Sequence, residues 1–196
     1  MPEGRLQDLI DIQNEVRLAF GWEYADDFES ANQMSLAFDH DVPFGNVDWN
    51  FQGRNETLQE ICKVLMSSKK VVIIGAAAEK EMLEEINQED VSIIAADGSV
   101  GALKDFQNLV CIVSDLDGGE HIDLAAINSQ RFIIHAHGDN HKRWKNILTR
   151  WSKFPNPPRL VLSHQTNEQL TGMENFGGFT DGDRALCFAI WAKIKP

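Results

Sequence analysis

Apolar positions divide the chain into two textures. In the first, Leu6, Leu9, Ile10, Val16 and Phe20 fall on one face of a helix, and a second, weaker helical pattern runs from Tyr24 to Phe38. Asp39 to Arg54, with Pro43, Gly45, Gly53 and several Asp and Asn residues, has the composition of a loop. Its aromatic residues Phe44, Trp49 and Phe51 are candidates for a contact surface between copies of the chain. Leu58, Ile61, Cys62 and Leu65 then follow the i, i+3, i+4, i+7 spacing of a third helix, with Asn55 as the expected cap.

From residue 70 short apolar runs alternate with helical patterns. Strands are expected at Val71–Ile74, Val91–Ala95, Val110–Val113, Phe132–Ile134 and Leu160–Leu162. Helices are expected at Lys80–Asn87, Val100–Phe106, His121–Asn128, His141–Trp151 and Arg184–Lys193. This alternation predicts an α/β fold: a Rossmann-like, mostly parallel sheet of about five or more strands with helices on both faces, preceded by an N-terminal helical segment. The division falls at residues 1–68 and 69–196, either as two units or as one compact body.

Ligands of open parallel sheets bind beyond the carboxyl ends of the strands. The residues that follow the expected strands are Gly75, then Asp97-Gly98, then Ser114-Asp115-Leu116-Asp117-Gly118, then His135-Ala-His137-Gly-Asp139-Asn140, then His164-Gln165-Thr166. The opposite ends are plainer: Lys69-Lys70, Glu89-Asp90, Gln107-Asn108, Gln130-Arg131 and Pro157-Pro158-Arg159. That asymmetry predicts an active or binding site on the carboxyl edge. Asp97, Asp115, Asp117 and Asp139 are expected to converge there. Carboxylates that close resist joint ionisation unless a cation compensates, and an oxygen-only ligand set suits Mg²⁺ with phosphates completing the shell. The histidines fit a zinc hydrolase poorly, because Asn140 stands where the fourth ligand of an His-x-His-x-Asp-His cluster belongs. Phosphate donors, or a general base, suit them better.

A second unusual stretch is Phe176-Gly-Gly178-Phe179-Thr180-Asp181-Gly-Asp183-Arg184, directly before an apolar helix. Asp183 is a candidate cap and Arg184 a candidate partner for a carboxylate or phosphate. Lys142, Arg143 and Lys145 open the helix after the histidines and are expected mainly on a solvated face.

Composition narrows the function classes. With 30 acidic against 18 basic residues the net charge is −12, which excludes broad nucleic-acid affinity. A small phosphorylated substrate remains compatible if metal bridges it to carboxylates. No apolar run approaches the roughly 18 residues of a membrane span, and the N-terminus lacks the apolar core of a signal peptide. The expectation is a cytoplasmic protein with no membrane or nucleic-acid partner, in which a homo-oligomer is compatible with the sequence. Cys62, Cys111 and Cys187 fall in apolar runs and are expected as core thiols.

Ser114-Asp-Leu-Asp-Gly118, His135-Ala-His-Gly-Asp-Asn140 and Gly177-Gly-Phe-Thr-Asp-Gly-Asp-Arg184 together resemble the archaeal 6-hydroxymethyl-7,8-dihydropterin pyrophosphokinases of folate and methanopterin biosynthesis, over roughly residues 55–195. The thiamine pyrophosphokinases are distantly similar. Where family members tend to have a Gly-Ala-Gly-Pro-Ser turn after the first strand, this chain has Gly75-Ala-Ala-Ala-Glu79. The resemblance implies diphosphate transfer from ATP, the co-substrate, to a hydroxymethyl dihydropterin with release of AMP. It implies Mg²⁺ on Asp115 and Asp117, and catalytic roles for these two with His135, His137, Asp139 and Arg184. It implies nucleotide contacts from Gly75, Asp97, Gly98, Ser114 and Asn140. It implies acceptor contacts from Gln165, Thr166, Gly178, Phe179, Thr180, Asp181 and Asp183. Thiamine pyrophosphokinase, nucleotide-sugar glycosyl transfer and a non-catalytic ATP–Mg²⁺ module remain the alternatives.

Overall fold

The computed structural model describes residues 3–84, 91–138 and 140–193. Five strands, β1 (Lys70–Ile74), β2 (Val91–Ala96), β3 (Leu109–Ser114), β4 (Arg131–Ala136) and β5 (Arg159–His164), pair in parallel in the order of the sequence. The pattern of short buried apolar runs therefore places every strand. Because the order never reverses, right-handed crossovers all fall on one face. That face carries α4 (Lys80–Glu84), a 3₁₀ turn (Asp97–Ala102), α5 (Gly119–Ile127) and α6 (His141–Trp151). Helix α2 (Tyr24–Ala37) joins them there through Ala31 and Met34. The other face would be bare without elements from outside the crossovers. It is covered by α3 (Phe51–Ser67) and the final helix α7 (Asp181–Ala192), whose Ile61, Leu65, Ala185 and Phe188 pack on Ile94, Val113, Ile133 and Val161. Cys62, Cys111 and Cys187 are buried and sit in no disulfide.

The differences from the expected elements have local causes. Helix α3 starts at Phe51, and Asn50 caps it by accepting the Gly53 N–H, whereas Asn55 lies inside the helix. The expected loop 39–54 contains two 3₁₀ turns, and its Trp49 is fully buried. Trp49 donates from Nε1 to the Pro158 carbonyl at 2.7 Å and packs on Phe38 and Phe44. It is an internal anchor, while Phe51 stays exposed. The expected helix Val100–Phe106 is replaced by the shorter 3₁₀ turn that begins at Asp97. The C-terminal part of the expected helix Lys80–Asn87 lies outside the described residues. Helix α7 begins at Asp181, three residues before Arg184, because Thr180 caps it: its hydroxyl accepts the Asp183 N–H while the Asp183 carboxylate accepts the Thr180 N–H.

In helix α1 (Glu3–Phe20) the expected Leu6 and Leu9 side chains lie outside those described. Among the described side chains of this helix the buried ones are Gln13 and Arg17, one turn apart; Ile10 and Val16 are half-buried and Phe20 is exposed. Gln13 donates to the Gly178 carbonyl at 2.8 Å, and Arg17 pairs with Asp27 at 2.9 Å. The helix is thus held to the domain by buried polar contacts. No helix among the described residues is long and apolar enough to cross a membrane.

Trp49→Ala is expected to lower the unfolding free energy by about 3–5 kcal/mol in urea titrations, since it empties a large core site and orphans the Pro158 carbonyl.

Candidate active site

The site is built by the turns that leave β2, β3 and β4 and by the segment joining β5 to α7. Asp97 follows β2, Asp115 and Asp117 follow β3, and Asp181 opens α7. One oxygen from each of these four carboxylates lies within 4.8 Å of the others. Convergence needs an unusual backbone. Leu116 adopts φ +72° and buries its side chain in the core, 1% exposed, which turns Asp115 and Asp117 outward on either side of it. A leucine in the left-handed region costs about 1–2 kcal/mol, here offset by burial. Asp97 also has a positive φ, +48°. Ser114 ties the two turns together: its hydroxyl donates to Asp97 Oδ1 and accepts the Leu116 N–H at 2.8 Å. The β2 and β3 turns touch through Gly98 and Gly118, and a Cβ on Gly118 would stand 2.4 Å from Asp97 Oδ2.

Charge around the cluster is compensated from one side. His137 Nε2 lies 2.8 Å from Asp115 Oδ2, and Arg143 Nη1 lies 3.6 Å from Asp115 and 3.8 Å from Asp117. Arg143 therefore faces the acids instead of occupying a purely solvated face. Burial works against ionisation of Asp115, but the hydrogen bond from His137, with Arg143 and Arg184, holds its carboxyl below the usual value. At Asp117, despite Arg143, burial and then the fields of Asp115 and Asp97 push the carboxyl up to about 6. Burial likewise pushes Asp181 up to about 6, although Arg184 opposes it.

Beneath the cluster runs a buried polar network. Arg184 donates from Nη1 to Asp181 Oδ1 at 3.0 Å and from Nη2 to Gln165 Oε1 at 2.9 Å. Gln165 donates from Nε2 to Asp27 Oδ2, which also accepts from Arg17, and Asp27 Oδ1 accepts the Gly138 N–H at 2.7 Å. Both ends of the Gln165 amide are thereby fixed. His135 Nε2 faces Gln165 Oε1 at 3.3 Å, and its Nδ1 lies 3.0 Å from the Ser163 hydroxyl. Burial pulls the His135 pKa well below the usual imidazole value, so this ring is neutral, and Nε2 is the nitrogen that donates to Gln165.

The resulting cavity has a volume of about 650 Å³. Its acidic end holds Asp115, Asp117, Asp181 and His137. It is lined also by Trp22, Glu23, Asp26 and Asp27, from α2 and the residues before it, and by Phe179. The rings of Trp22 and Phe179 are parallel within 5°, with centroids 5.2 Å apart, and Phe20 stacks on the outer side of Trp22.

The predicted residues sort by position. Asp115, Asp117, His137, Arg184, Gln165, Phe179, Thr180 and Asp181 line this cavity. Asp97 joins the carboxylate cluster, and Asp181 belongs to it too, although its expected place was with the acceptor. His135 lies in the buried network below the cavity instead of on its wall. Ser114 and Asn140 are scaffold residues. Asn140 donates to the His135 carbonyl at 2.9 Å and accepts from Ser30 at 2.7 Å, closing the turn that holds His137. Thr166 bonds the His164 ring through its hydroxyl and N–H, away from this cavity. Gly98 makes the contact with Gly118 described above. Gly178, at φ +82°, runs so close to the start of α7 that a Cβ would meet Arg184 N at 2.6 Å, and Asp183 serves the Thr180 cap. Gly75 ends the edge strand β1, where its carbonyl accepts from Ala78, and is not among the residues lining the cavity. Asp139 lies outside the described residues. Sequence reasoning missed Arg17, Trp22 and Asp27, which come from the helical segment and meet the site only through the tertiary fold.

The donor set suits a hard divalent cation: four carboxylates, no sulfur, and at Asp115 a buried Oδ1 with no hydrogen-bond partner. Such an arrangement can hold a metal and neutralise phosphate oxygens, with Arg143 and His137 beside it. A family model described as 6-hydroxymethylpterin diphosphokinase MptE-like matches residues 46–196. A Pyrococcus furiosus protein named 6-hydroxymethyl-7,8-dihydropterin pyrophosphokinase is 36% identical over 133 residues, 67% of this chain and 53% of that protein. A Methanocaldococcus jannaschii protein of the same name is 30% identical over 197 residues, 93% of this chain and 73% of the relative. One from Methanothermobacter thermautotrophicus is 36% identical over 106 residues, 52% of this chain and 41% of the relative. The match thus spans about half the length of the Pyrococcus protein. Carrying the strand-edge aspartates, the histidine turn and the glycine-rich cap of α7 on one parallel sheet, and matched over most of its length, this chain belongs to the 6-hydroxymethylpterin diphosphokinase MptE-like family.

Proposed function

We propose that this chain transfers a diphosphate group from ATP to the hydroxymethyl oxygen of a 6-hydroxymethyl-7,8-dihydropterin and releases AMP. The observation that carries the reading is the four-carboxylate cluster, three of whose members line a cavity that Trp22 and Phe179 also line. The relatives' names support the pterin alcohol as acceptor. The acidic cluster, with Arg143 and Arg184, supports a phosphoanhydride as donor.

Asp97, Asp115, Asp117 and Asp181 would hold Mg²⁺, which when bound neutralises the phosphate oxygens and makes the β-phosphorus more electrophilic. The acceptor oxygen forms a bond to that phosphorus, the bond from the phosphorus to the α-phosphate bridging oxygen breaks, and AMP leaves with the bridging oxygen. The chain's own contribution is positioning and charge. Arg143 stands beside Asp115 and Asp117, where it can meet transferring phosphate oxygens. His137 donates from Nε2 to Asp115, which leaves Nδ1 as the lone-pair nitrogen able to take the hydroxymethyl proton. His135 is unsuited to that role, because both its ring nitrogens are engaged in the buried network. Phe179, stacked on Trp22 by one face, would offer its other face to a planar heterocycle, and Glu23 and Asp26 nearby would offer acceptors for its N–H edge.

The deciding experiment mixes purified protein, ATP, Mg²⁺ and 6-hydroxymethyl-7,8-dihydropterin and separates the nucleotides. AMP formed in step with pterin diphosphate is the expected result. No AMP with the pterin, or AMP formed with thiamine instead, overturns the assignment. Asp115→Asn is expected to lower kcat by at least ~10²-fold, because it removes a charge that stabilises the transferring group. EDTA is expected to abolish turnover and Mg²⁺ to restore it, whereas restoration by Zn²⁺ alone would point to different chemistry. Phe179→Ala is expected to raise the KM for the acceptor by about 3–10-fold with little change in the KM for ATP, the size of a lost aromatic contact; an equal rise for both substrates would remove Phe179 from the acceptor wall.

A further inference from the structure

A second cavity, of about 550 Å³, shares no lining residue with the carboxylate pocket among the described residues. It lies between the start of α3, the middle of β5 and the segment His164–Asn175. Arg54, in the first turn of α3, is one of its walls and is 5% exposed. The guanidinium has five N–H donors to place. Nη1 donates to the Trp49 carbonyl at 2.5 Å, and the face of the group lies over the Phe38 ring, its central carbon 5.0 Å from the centroid. Nε is buried with no hydrogen-bond partner. The ion pairs formed among the described residues do not include Arg54. The carboxylate whose field reaches it is Asp39, and burial outweighs that field, drawing the guanidinium down to about 10. A buried cation without an ion-pair partner is costly, and a bidentate carboxylate is the complement that a guanidinium fork matches best.

The surroundings narrow the class of ligand. Gly172 has φ +71°, and a Cβ there would stand 2.4 Å from Arg54 Nη2, so the missing side chain lets the guanidinium pack directly on the wall segment His164–Asn175. Leu58, Leu162 and Met173 give the cavity an apolar wall. Glu168 and Glu174 also line it, which disfavours a polyanion. His164 is buried and its pKa is drawn down to about 4 by burial, so it adds no positive charge. We propose that this cavity binds a small monocarboxylate with an apolar body, its carboxylate on Arg54 and its body against Leu58, Leu162 and Met173. The site is independent of the reaction proposed above, and failure of either leaves the other standing. It adjoins Thr166 and Asn175, so an occupant would brace the same segment that carries Gln165 into the active-site network.

The test uses benzoate, with benzamide as its uncharged isostere, on the full chain in EDTA so that no metal-bound carboxylate contributes. The Arg54 Nε–H signal, assigned by its loss in Arg54→Lys, is followed by ¹H–¹⁵N NMR. Benzoate is expected to shift it saturably with a Kd at or below about 5 mM, and benzamide is expected to leave it in place. Leu58→Trp, which keeps Arg54 but fills the cavity, is expected to abolish the response. No shift with benzoate, an equal shift with benzamide, or an unchanged response in Leu58→Trp would each overturn the proposal. If the Arg54 variant does not fold, the benzoate-against-benzamide contrast and the Leu58→Trp variant still decide it, read as the benzoate-induced rise in melting temperature.

Discussion

Four carboxylates with oxygens inside 4.8 Å of one another repel, and the carboxyl edge of this sheet is arranged around that repulsion. Two answers are visible in the chain itself. His137, Arg143 and Arg184 bring positive or hydrogen-bonding groups to Asp115, which stays ionised. Asp117 and Asp181 are pushed up instead, toward the neutral form. A divalent cation would resolve the remaining strain by neutralising the whole cluster, because like charges this close ionise together only when compensated. The same repulsion explains why the turns are so heavily tied down. Ser114 bridges Asp97 and Leu116, Gly98 and Gly118 meet backbone to backbone, and Leu116 accepts a left-handed conformation to keep its side chain in the core.

The support beneath the cluster is polar and buried, which makes it specific as well as costly. Each side chain from Arg17 through Asp27 and Gln165 to Arg184 has its partner fixed by the next. A network of this kind rigidifies a site only when its members are satisfied together, and loss of one leaves a buried charge or amide unpaired. It also makes the N-terminal helices part of the site. Arg17 and Asp27 lie outside the span matched by the family model, yet they lock Gln165 and the Gly138 turn, and Trp22 and Asp26 next to them form a wall of the cavity.

The sheet topology shows why that wall is needed. A parallel sheet whose order reverses has a crevice at the reversal, and ligands bind there. This sheet runs in sequence order from edge to edge, so the strands alone create no crevice. The depression is lined instead by Gly21–Glu23 and the first turn of α2 together with the capped start of α7, beyond the ends of β3, β4 and β5.

Much of this was legible in the chain. Short β-branched runs alternating with helical spacings gave all five strands and the parallel class, because a strand buried on both faces leaves a continuous apolar signature. The strand-end aspartates and His137 marked the edge where the carboxylates meet and the cavity lies, because crossover geometry puts one end of every strand on the same side. What the sequence could not yield were the partnerships. Asp181 joins the carboxylates only because the Thr180 cap starts α7 at that point, and His135 turns down into the network only because Gln165 is held from both ends. Arg17 and Gln13 turn inward at the C-terminal half of α1, since what they meet there is the Gly178 and Gln165 carbonyls and the Asp27 carboxylate. Local spacing decides secondary structure and the facing of strands, whereas the meeting of residues more than a hundred positions apart depends on which helix covers which face, and only the folded chain decides that.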